Sequence, residues 1–184
     1  MNPEFRRQLR LELSPSRLVL MPAVLLLMVA SVFMLERSEP LLYVYGGALS
    51  IMALLAACVG TFTALSSIND EVNDRTWDQQ RMSAMGPWPM AWGKLLGGPS
   101  YAWYGALLCA AAALLCGVLL GRSGKALHLV TLCILGTATL HSALMASRLY
   151  GMDPSKPVGN RSTWGLVVVL FVLLVWLMQV KKLA

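Results

Sequence analysis

Residues 40–69 read PLLYVYGGALSIMALLAACVGTFTALSSIN. This stretch is the longest of five runs that contain no Asp, Glu, Lys or Arg. A helix needs about 20 residues to cross the hydrocarbon core of a bilayer, and backbone groups in lipid must be paired within the segment. The run is therefore predicted to be a membrane-spanning helix, and this interpretation decides the fold class of the chain.

The other four runs cover 18–35, 95–121, 126–147 and 162–180. Each is long enough to cross a bilayer as a helix, and none shows the strict alternation of barrel strands. The composition agrees, because 13% of the residues are charged and the mean hydropathy is +0.63, whereas soluble domains are about 25% charged. We predict an all-α, polytopic membrane helix bundle with about five transmembrane helices, forming a single transmembrane domain over 1–184.

Residues 1–17 are predicted to form an interfacial helix before the first span. Its apolar and basic positions fall on adjacent arcs of a helix: Phe5, Leu9 and Leu13, then Arg6, Arg7 and Arg10. Such a helix lies on the membrane with its arginines toward anionic headgroups, and Ser14-Pro15 would end it. The alternative is a basic flank without fixed structure. We interpret 18–35 as a retained span, because no small-residue cleavage site of a signal peptide follows it.

Lysines and arginines indicate the orientation. With the N-terminus in the cytoplasm, ten of the fifteen lie on the inner side, as the positive-inside rule requires. The chain is thus predicted to be integral to the cell membrane, which in a bacterium is the inner membrane. Residues 70–94 then form the longest polar connection and lie in the cytoplasm.

This connection contains four of the nine acidic residues within nine positions: Asp70, Glu71, Asp74 and Asp78. They share about 100° of a helical wheel, and Ser67 resembles the start of a capping box, which predicts that a helix begins there. Acids four residues apart repel each other. The acidic face is therefore either simply solvated or a docking surface for a basic partner.

The connection closes with GPWPMAWGK, residues 86–94. Gly86-Pro87 is predicted to end the preceding helix, and the following residues to form a tight corner back to the bilayer. Trp88 and Trp92 would lie at headgroup level, and Lys94 would extend to the interface from the start of the third span.

Several residues between the second and third spans resemble a known family. In chain order they are Glu71, Arg75-Thr76, Arg81, Pro87 and Gly93-Lys94-Leu95. Their order and place resemble the corresponding loop of ABC transporter permeases of the ABC-2 exporter type, and 1–17 is similar to that family's connecting helix. The resemblance covers 1–147 in layout and 69–97 in motif.

The resemblance implies a coupling helix over 70–85 that binds a separate cytoplasmic ATP-binding subunit. The implied contact residues are Asp70, Glu71, Asp74, Arg75, Asp78 and Arg81. A second permease copy or half and membrane lipid are the other implied partners. Such permeases usually have six spans, with a re-entrant element before the last, so a partial permease is an open alternative.

Inside the spans, Thr137, His141 and Arg148 fall on roughly one helical face. An ionisable residue inside a membrane is a functional hypothesis by default. The alternative is a neutral His141 that hydrogen-bonds between helices, because the spans contain no carboxylate to relay protons. Small residues four apart, Gly60 with Ala64 and Gly117 with Gly121, predict close helix packing.

The sequence lacks the patterns of several other functions. The four cysteines lie in apolar runs without metal-ligand spacing, no Walker A motif is present, and no stretch interleaves basic and aromatic residues for nucleic acid. We expect no catalytic, cofactor-binding or metal residue in this chain, with ATP hydrolysis in a separate subunit.

The favoured hypothesis is a permease subunit of an ATP-driven transporter, coupled to its ATPase through 70–85. The alternative is a non-transporting membrane scaffold or accessory subunit that recruits a soluble partner. An intramembrane enzyme would rest only on His141 and Arg148, and acid–base catalysis normally needs a second partner within reach.

Overall fold

The computed structural model describes residues 3–35, 38–73 and 86–150. Within these ranges the structure contains helices and no strand, which confirms the all-α prediction. The elements are α1 Pro3–Glu12, α2 Pro15–Leu35, α3 Pro40–Ala53, a π-helical segment Leu54–Gly60, α4 Thr61–Asn73, α5 Pro87–Gly97, α6 Ser100–Leu119 and α7 Ser123–Tyr150.

Within the described residues, four stretches are long and apolar enough to cross a membrane, so the protein is a membrane protein. They are Pro15–Leu35, Pro40–Asn69, Ser100–Leu119 and Ser123–Ser147. Consecutive spans run in opposite directions. One end of the bundle is called the α1 end below. At this end α2 and α6 begin, and α4 and α7 end. The predicted fifth span, 162–180, lies outside the described residues.

The first turn of the chain falls where the sequence predicts it. Ser14 precedes α2, its hydroxyl accepts a hydrogen bond from the backbone N–H of Arg17 at 3.4 Å, and Pro15 occupies the first helical position. Proline is favoured there because its missing N–H would have no partner within the helix. A helix thus precedes the first span, as predicted: it is α1, and it ends at Glu12, before Ser14.

The second span and the start of the polar connection form one rod, from Pro40 through the π-helical segment to Asn73. The prediction that a new helix begins at Ser67 is wrong. The Ser67 hydroxyl donates to the carbonyl of Ala64 at 2.9 Å, one turn earlier in the same rod. Asp70 and Glu71 therefore lie far from the helix N-terminus at Pro40. Their carboxylates do not gain the favourable interaction with the helix dipole that acidic side chains have in a first turn.

The third span begins later than predicted, at Ser100 rather than at 95. The residues before it form α5, so 87–94 is a helix and not the expected corner. Gly86 caps α5 and Pro87 starts it, which is the position proline prefers. Pro99 separates α5 from α6. Gly98 is still helical, but Pro99 has no backbone N–H to continue the hydrogen-bond ladder, and its ψ of 17° departs from helical geometry.

The core lies between α3, α6 and α7. Small residues on α6 allow close approach: a Cβ placed on Gly117 would lie 2.5 Å from the Cβ of Ala126 on α7. The packing role predicted for Gly117 is confirmed. Gly121 instead makes the turn between α6 and α7 with φ of 68°, a conformation that favours glycine.

Among the described spans, α2 is the least buried. Its contribution to the interior is Met21, which is buried, and Leu25, Val29 and Val32, which pack against the core. Near the α1 end it is attached to α6, because the Tyr104 hydroxyl donates to the carbonyl of Leu18 at 3.2 Å. Farther along, α2 diverges from α3 and α6 and leaves an apolar cavity between the three helices.

Candidate functional site at the π-helical segment

Four buried polar side chains, called the polar cluster below, lie on α4, α6 and α7. Thr61, Ser100, Thr137 and His141 are 3%, 9%, 4% and 1% exposed, respectively. Burying such groups in an apolar interior is unfavourable unless they are hydrogen-bonded. This polar cluster is therefore the part of the bundle interior whose presence needs an explanation beyond packing.

His141 joins α7 to the second span. Its Nε2 atom lies 3.1 Å from the carbonyl oxygen of Ala56, a residue of the π-helical segment. A carbonyl oxygen can only accept a hydrogen bond, so Nε2 carries the proton in this contact. In the neutral imidazole the other nitrogen, Nδ1, is then an acceptor.

The local sequence explains why this contact forms at residues 54–60. A π-helical turn shifts the backbone hydrogen bonds from i→i+4 to i→i+5, and such turns are frequent at functional sites. Within the segment, Ala56 is small and Gly60 has no side chain at all. A Cβ on Gly60 would lie 3.0 Å from Cε1 and 3.2 Å from Nε2 of His141. Gly60 therefore admits the imidazole ring to the backbone of the second span.

Trp103 forms the opposite wall of the histidine. Its ring packs edge-on against that of His141, with ring centroids 5.8 Å apart and an interplanar angle of 78°. Aromatic rings favour this arrangement because the positive edge of one meets the negative face of the other. The imidazole is thus fixed on one side by a backbone carbonyl and on the other by an indole.

Four buried polar atoms of the cluster and of Trp103 have no hydrogen-bond partner among the described residues. They are Thr61 Oγ1, Ser100 Oγ, Trp103 Nε1 and His141 Nδ1. The indole N–H is a donor, the imidazole nitrogen an acceptor in the neutral ring, and each hydroxyl is both. Trp103 and His141 pack directly against each other, so a donor and an acceptor without partners belong to adjoining side chains.

No carboxylate occurs in the sequence of these spans. Over 3–35, 38–73 and 86–150, no three His, Cys, Asp or Glu side chains are grouped as metal ligands. The cysteines described in the structure are free thiols, and three of the four are buried.

The structure brings together only part of the predicted intramembrane site. Thr137 and His141 lie on one buried face of α7, as predicted, and His141 makes the interhelical hydrogen bond of the alternative interpretation. Arg148 belongs to the last turns of α7, and its side chain lies outside the described structure.

The predicted contact residues for an ATPase partner are described only in part. Asp70 and Glu71 lie in the last turn of α4 that the structure describes, without description of their side chains. The remaining four predicted contacts, Asp74, Arg75, Asp78 and Arg81, lie outside the described residues.

Sequence reasoning missed Thr61, Ser100 and Trp103. Polar residues at the ends of apolar runs are common, so their types carried no distinct signal. The Ala56 carbonyl carries none either, because every residue has one. The detectable signal was Gly60, whose place beside a polar residue in an apolar run marks a close approach of another group.

A separate apolar cavity of about 400 Å³ lies between α2, α3 and α6. Leu25, Val29, Ile51 and Cys109 are among its lining residues, and no charged side chain is. Gly47 also faces it, and a Cβ placed there would have no atom within 4 Å. Its volume falls within the range of small-molecule sites, roughly 300–1,000 Å³.

Comparison with known proteins gives no further guide to this site, because the chain matches no protein-family model, no curated protein and no solved structure.

Proposed function

We propose that this chain is the membrane-spanning permease subunit of an ATP-driven transporter, with its α1 end in the cytoplasm. The excess of lysine and arginine at that end supports the orientation. The resemblance of residues 69–97 to the coupling loop of exporter permeases supports the class of protein.

The observation that carries the proposal is the rod from Pro40 to Asn73. At 1.5 Å per residue it is about 50 Å long, whereas the hydrocarbon core is about 30 Å thick. This excess length is enough for Asp70 and Glu71 to extend beyond the membrane on the same helical rod that crosses it. A partner that binds this acidic end would therefore act directly on the second span.

The histidine contact supplies the next step of the coupling. His141 attaches the middle of the rod to α7 through the Ala56 carbonyl. A displacement of the rod by a cytoplasmic partner would therefore be passed to α7 inside the membrane. Two atoms without partners, Trp103 Nε1 and His141 Nδ1, belong to side chains at this junction, so movement of the rod would change what these two side chains can bind.

The π-helical segment is the place where the rod can change shape. A π-helical turn holds one residue more than an α-helical turn, and an α-helix advances 100° per residue. Conversion of one such turn to α-helix would rotate α4 by about 100° relative to α3. The proposal thus assigns the segment the role of a joint between the acidic end and the outer half of the span.

A second permease copy or half is proposed to pack on α2. This helix is the least buried span, and side chains such as Leu26, Leu27 and Met34 are 68%, 71% and 80% exposed. The apolar cavity behind α2 gives this helix room to move toward α3 and α6.

The test purifies the tagged chain from native membranes and measures ATP hydrolysis in the recovered material. Wild type is compared with the double variant Asp70→Lys/Glu71→Lys. The matched control is Glu39→Lys, which reverses an exposed charge at the opposite end of the rod, where the Glu39 side chain makes no cap hydrogen bond.

We expect the double variant to lose at least about tenfold of the recovered ATPase activity, which corresponds to about 1.4 kcal/mol of partner binding. The control should match wild type. Equal recovery from all three proteins would exclude a coupling role for the acidic end. Recovery of a partner whose ATP hydrolysis does not depend on this chain would instead favour the scaffold alternative.

A further inference from the structure

The two short helices at the α1 end, α1 and α5, pack against each other. Gln8 on α1 is 6% exposed, and a Cβ placed on Gly97 of α5 would lie only 2.7 Å from its Cβ. Lys94 of α5 is 3% exposed, so it does not reach the interface as the sequence suggested. The pair is therefore a fixed two-helix unit rather than a loose basic flank followed by a corner.

This unit presents positive charge on its outer surface. Arg6, Arg7 and Arg10 of α1 are all exposed. Arg6 and Arg10 are four residues apart, a spacing at which like charges repel on a helix. A bound anion would remove this repulsion, so the surface complements negative charge.

The neighbouring helix presents aromatic side chains on its own surface. Trp88 is 70% exposed and Trp92 is 44% exposed, and their rings are perpendicular with centroids 5.7 Å apart. Tryptophan is enriched at the membrane–water boundary, where its ring is partly apolar and its N–H can reach polar groups. Because α5 packs against α1, the two tryptophans and the arginines belong to the same two-helix unit.

A further cation, Arg17 at the start of α2, adjoins the unit. Arg17 bonds Glu12 of α1 at 3.1 Å, and its guanidinium lies 5.8 Å from the ring centroid of Tyr101 on α6. Glu12 is thereby engaged with Arg17. This contact also fixes the C-terminal end of α1 against the spans.

We propose that α1 and α5 together form a binding surface for anionic phospholipids. The headgroup phosphate would bind at Arg6 and Arg10, with the indoles of Trp88 and Trp92 at the level of the lipid glycerol. Charge complementarity favours an anionic lipid over a zwitterionic one, and the exposed indoles favour a lipid over a soluble acidic protein. This inference does not depend on the transporter proposal.

The test uses the full chain in liposomes of phosphatidylcholine that contain a minor share of brominated phosphatidylglycerol. Bromine quenches nearby tryptophan fluorescence, so quenching reports lipid occupancy. The contribution of this surface is the difference between the chain and its Trp88→Phe/Trp92→Phe variant. Brominated phosphatidylcholine at the same share gives the zwitterionic reference.

We expect phosphatidylglycerol to occupy the surface several-fold more often than phosphatidylcholine at low salt, and this preference to fall as salt screens the charges. Arg6→Gln and Arg10→Gln should each reduce it up to about fivefold. Lys125→Gln, the same loss of charge at an exposed site at the opposite end of the bundle, should not reduce it.

Equal quenching by the two lipids in the unmodified chain, or a preference that salt leaves unchanged, would overturn the proposal. These two readouts need no arginine variant, so they remain decisive even if an arginine substitution disturbs folding. Equal losses in Lys125→Gln and the arginine variants would also overturn it, because the effect would then reflect net charge alone.

Discussion

Removing the imidazole of His141 is expected to loosen the attachment between α7 and the second span. In His141→Ala the Ala56 carbonyl loses its partner at 3.1 Å, and Trp103 loses the ring packed against it. A hydrogen bond between membrane helices contributes about 0.6–1.7 kcal/mol, and an aromatic pair about 0.5–1.5 kcal/mol. The expected loss in free energy of unfolding is therefore about 1–3 kcal/mol.

The assay is unfolding of the chain in mixed detergent micelles, followed by circular dichroism as the denaturing detergent increases. His128→Ala is the matched control, because His128 lies on the same helix but is exposed. It should change the free energy of unfolding by no more than about 0.5 kcal/mol. His141→Gln keeps an N–H donor and should recover part of the stability lost in His141→Ala.

A double-mutant cycle tests the geometry of the contact. Gly60→Ala places a methyl group 3.0 Å from Cε1 of His141, so it should cost about 1–3 kcal/mol in the wild-type chain. In His141→Ala the ring is gone, and the same change should be neutral or stabilising. The expected coupling free energy is therefore at least about 1–3 kcal/mol.

Two results would refute this reasoning. If His141→Ala loses no more stability than His128→Ala, the contact with Ala56 does not hold the two spans together. If Gly60→Ala costs the same with and without the imidazole, Gly60 does not admit the ring to the backbone as the structure indicates.

Three further predictions concern other contacts, all measured by the same unfolding assay. Gly117→Leu should destabilise the chain by at least about 1–3 kcal/mol, because even a Cβ there would lie 2.5 Å from Ala126, whereas Gly124→Ala, with no atom within 4 Å, should have little effect. Tyr104→Phe should cost about 1 kcal/mol by removing the hydroxyl that donates to Leu18; no measurable loss would contradict this bond. Thr61→Val should leave stability unchanged or raise it by about 1 kcal/mol, because the buried hydroxyl has no partner in the described structure, and a clear loss would show that the hydroxyl is bonded.

The spans themselves could be predicted from the sequence because their cause is local. Runs such as 18–35 and 40–69 are apolar over a length that crosses a bilayer, and backbone groups in lipid must pair within the segment. The break at Ser14-Pro15 was predictable for a similar reason, since proline removes a donor wherever it stands.

The connection between the second and third spans shows where local signals misled. Ser67 has the spacing of a capping residue, but the helix already runs through it from Pro40. Gly86-Pro87 begins α5, where the sequence predicted only a corner; the helix predicted to end there lies outside the described residues. Proline stops a helix that precedes it and starts one that follows, so its identity alone does not distinguish the two.

The polar cluster was the feature that sequence could indicate only in part. An ionisable side chain within an apolar run singled out His141, and helical spacing placed Thr137 on its face. Its partner is a backbone carbonyl 85 residues away in a π-helical segment, and no residue type records that such a carbonyl is accessible. Composition thus determined that these helices lie in a membrane, because transfer from water depends on each residue's own surface. Tertiary structure decided which polar groups of these helices contact each other, because a hydrogen bond between helices depends on the position of both partners.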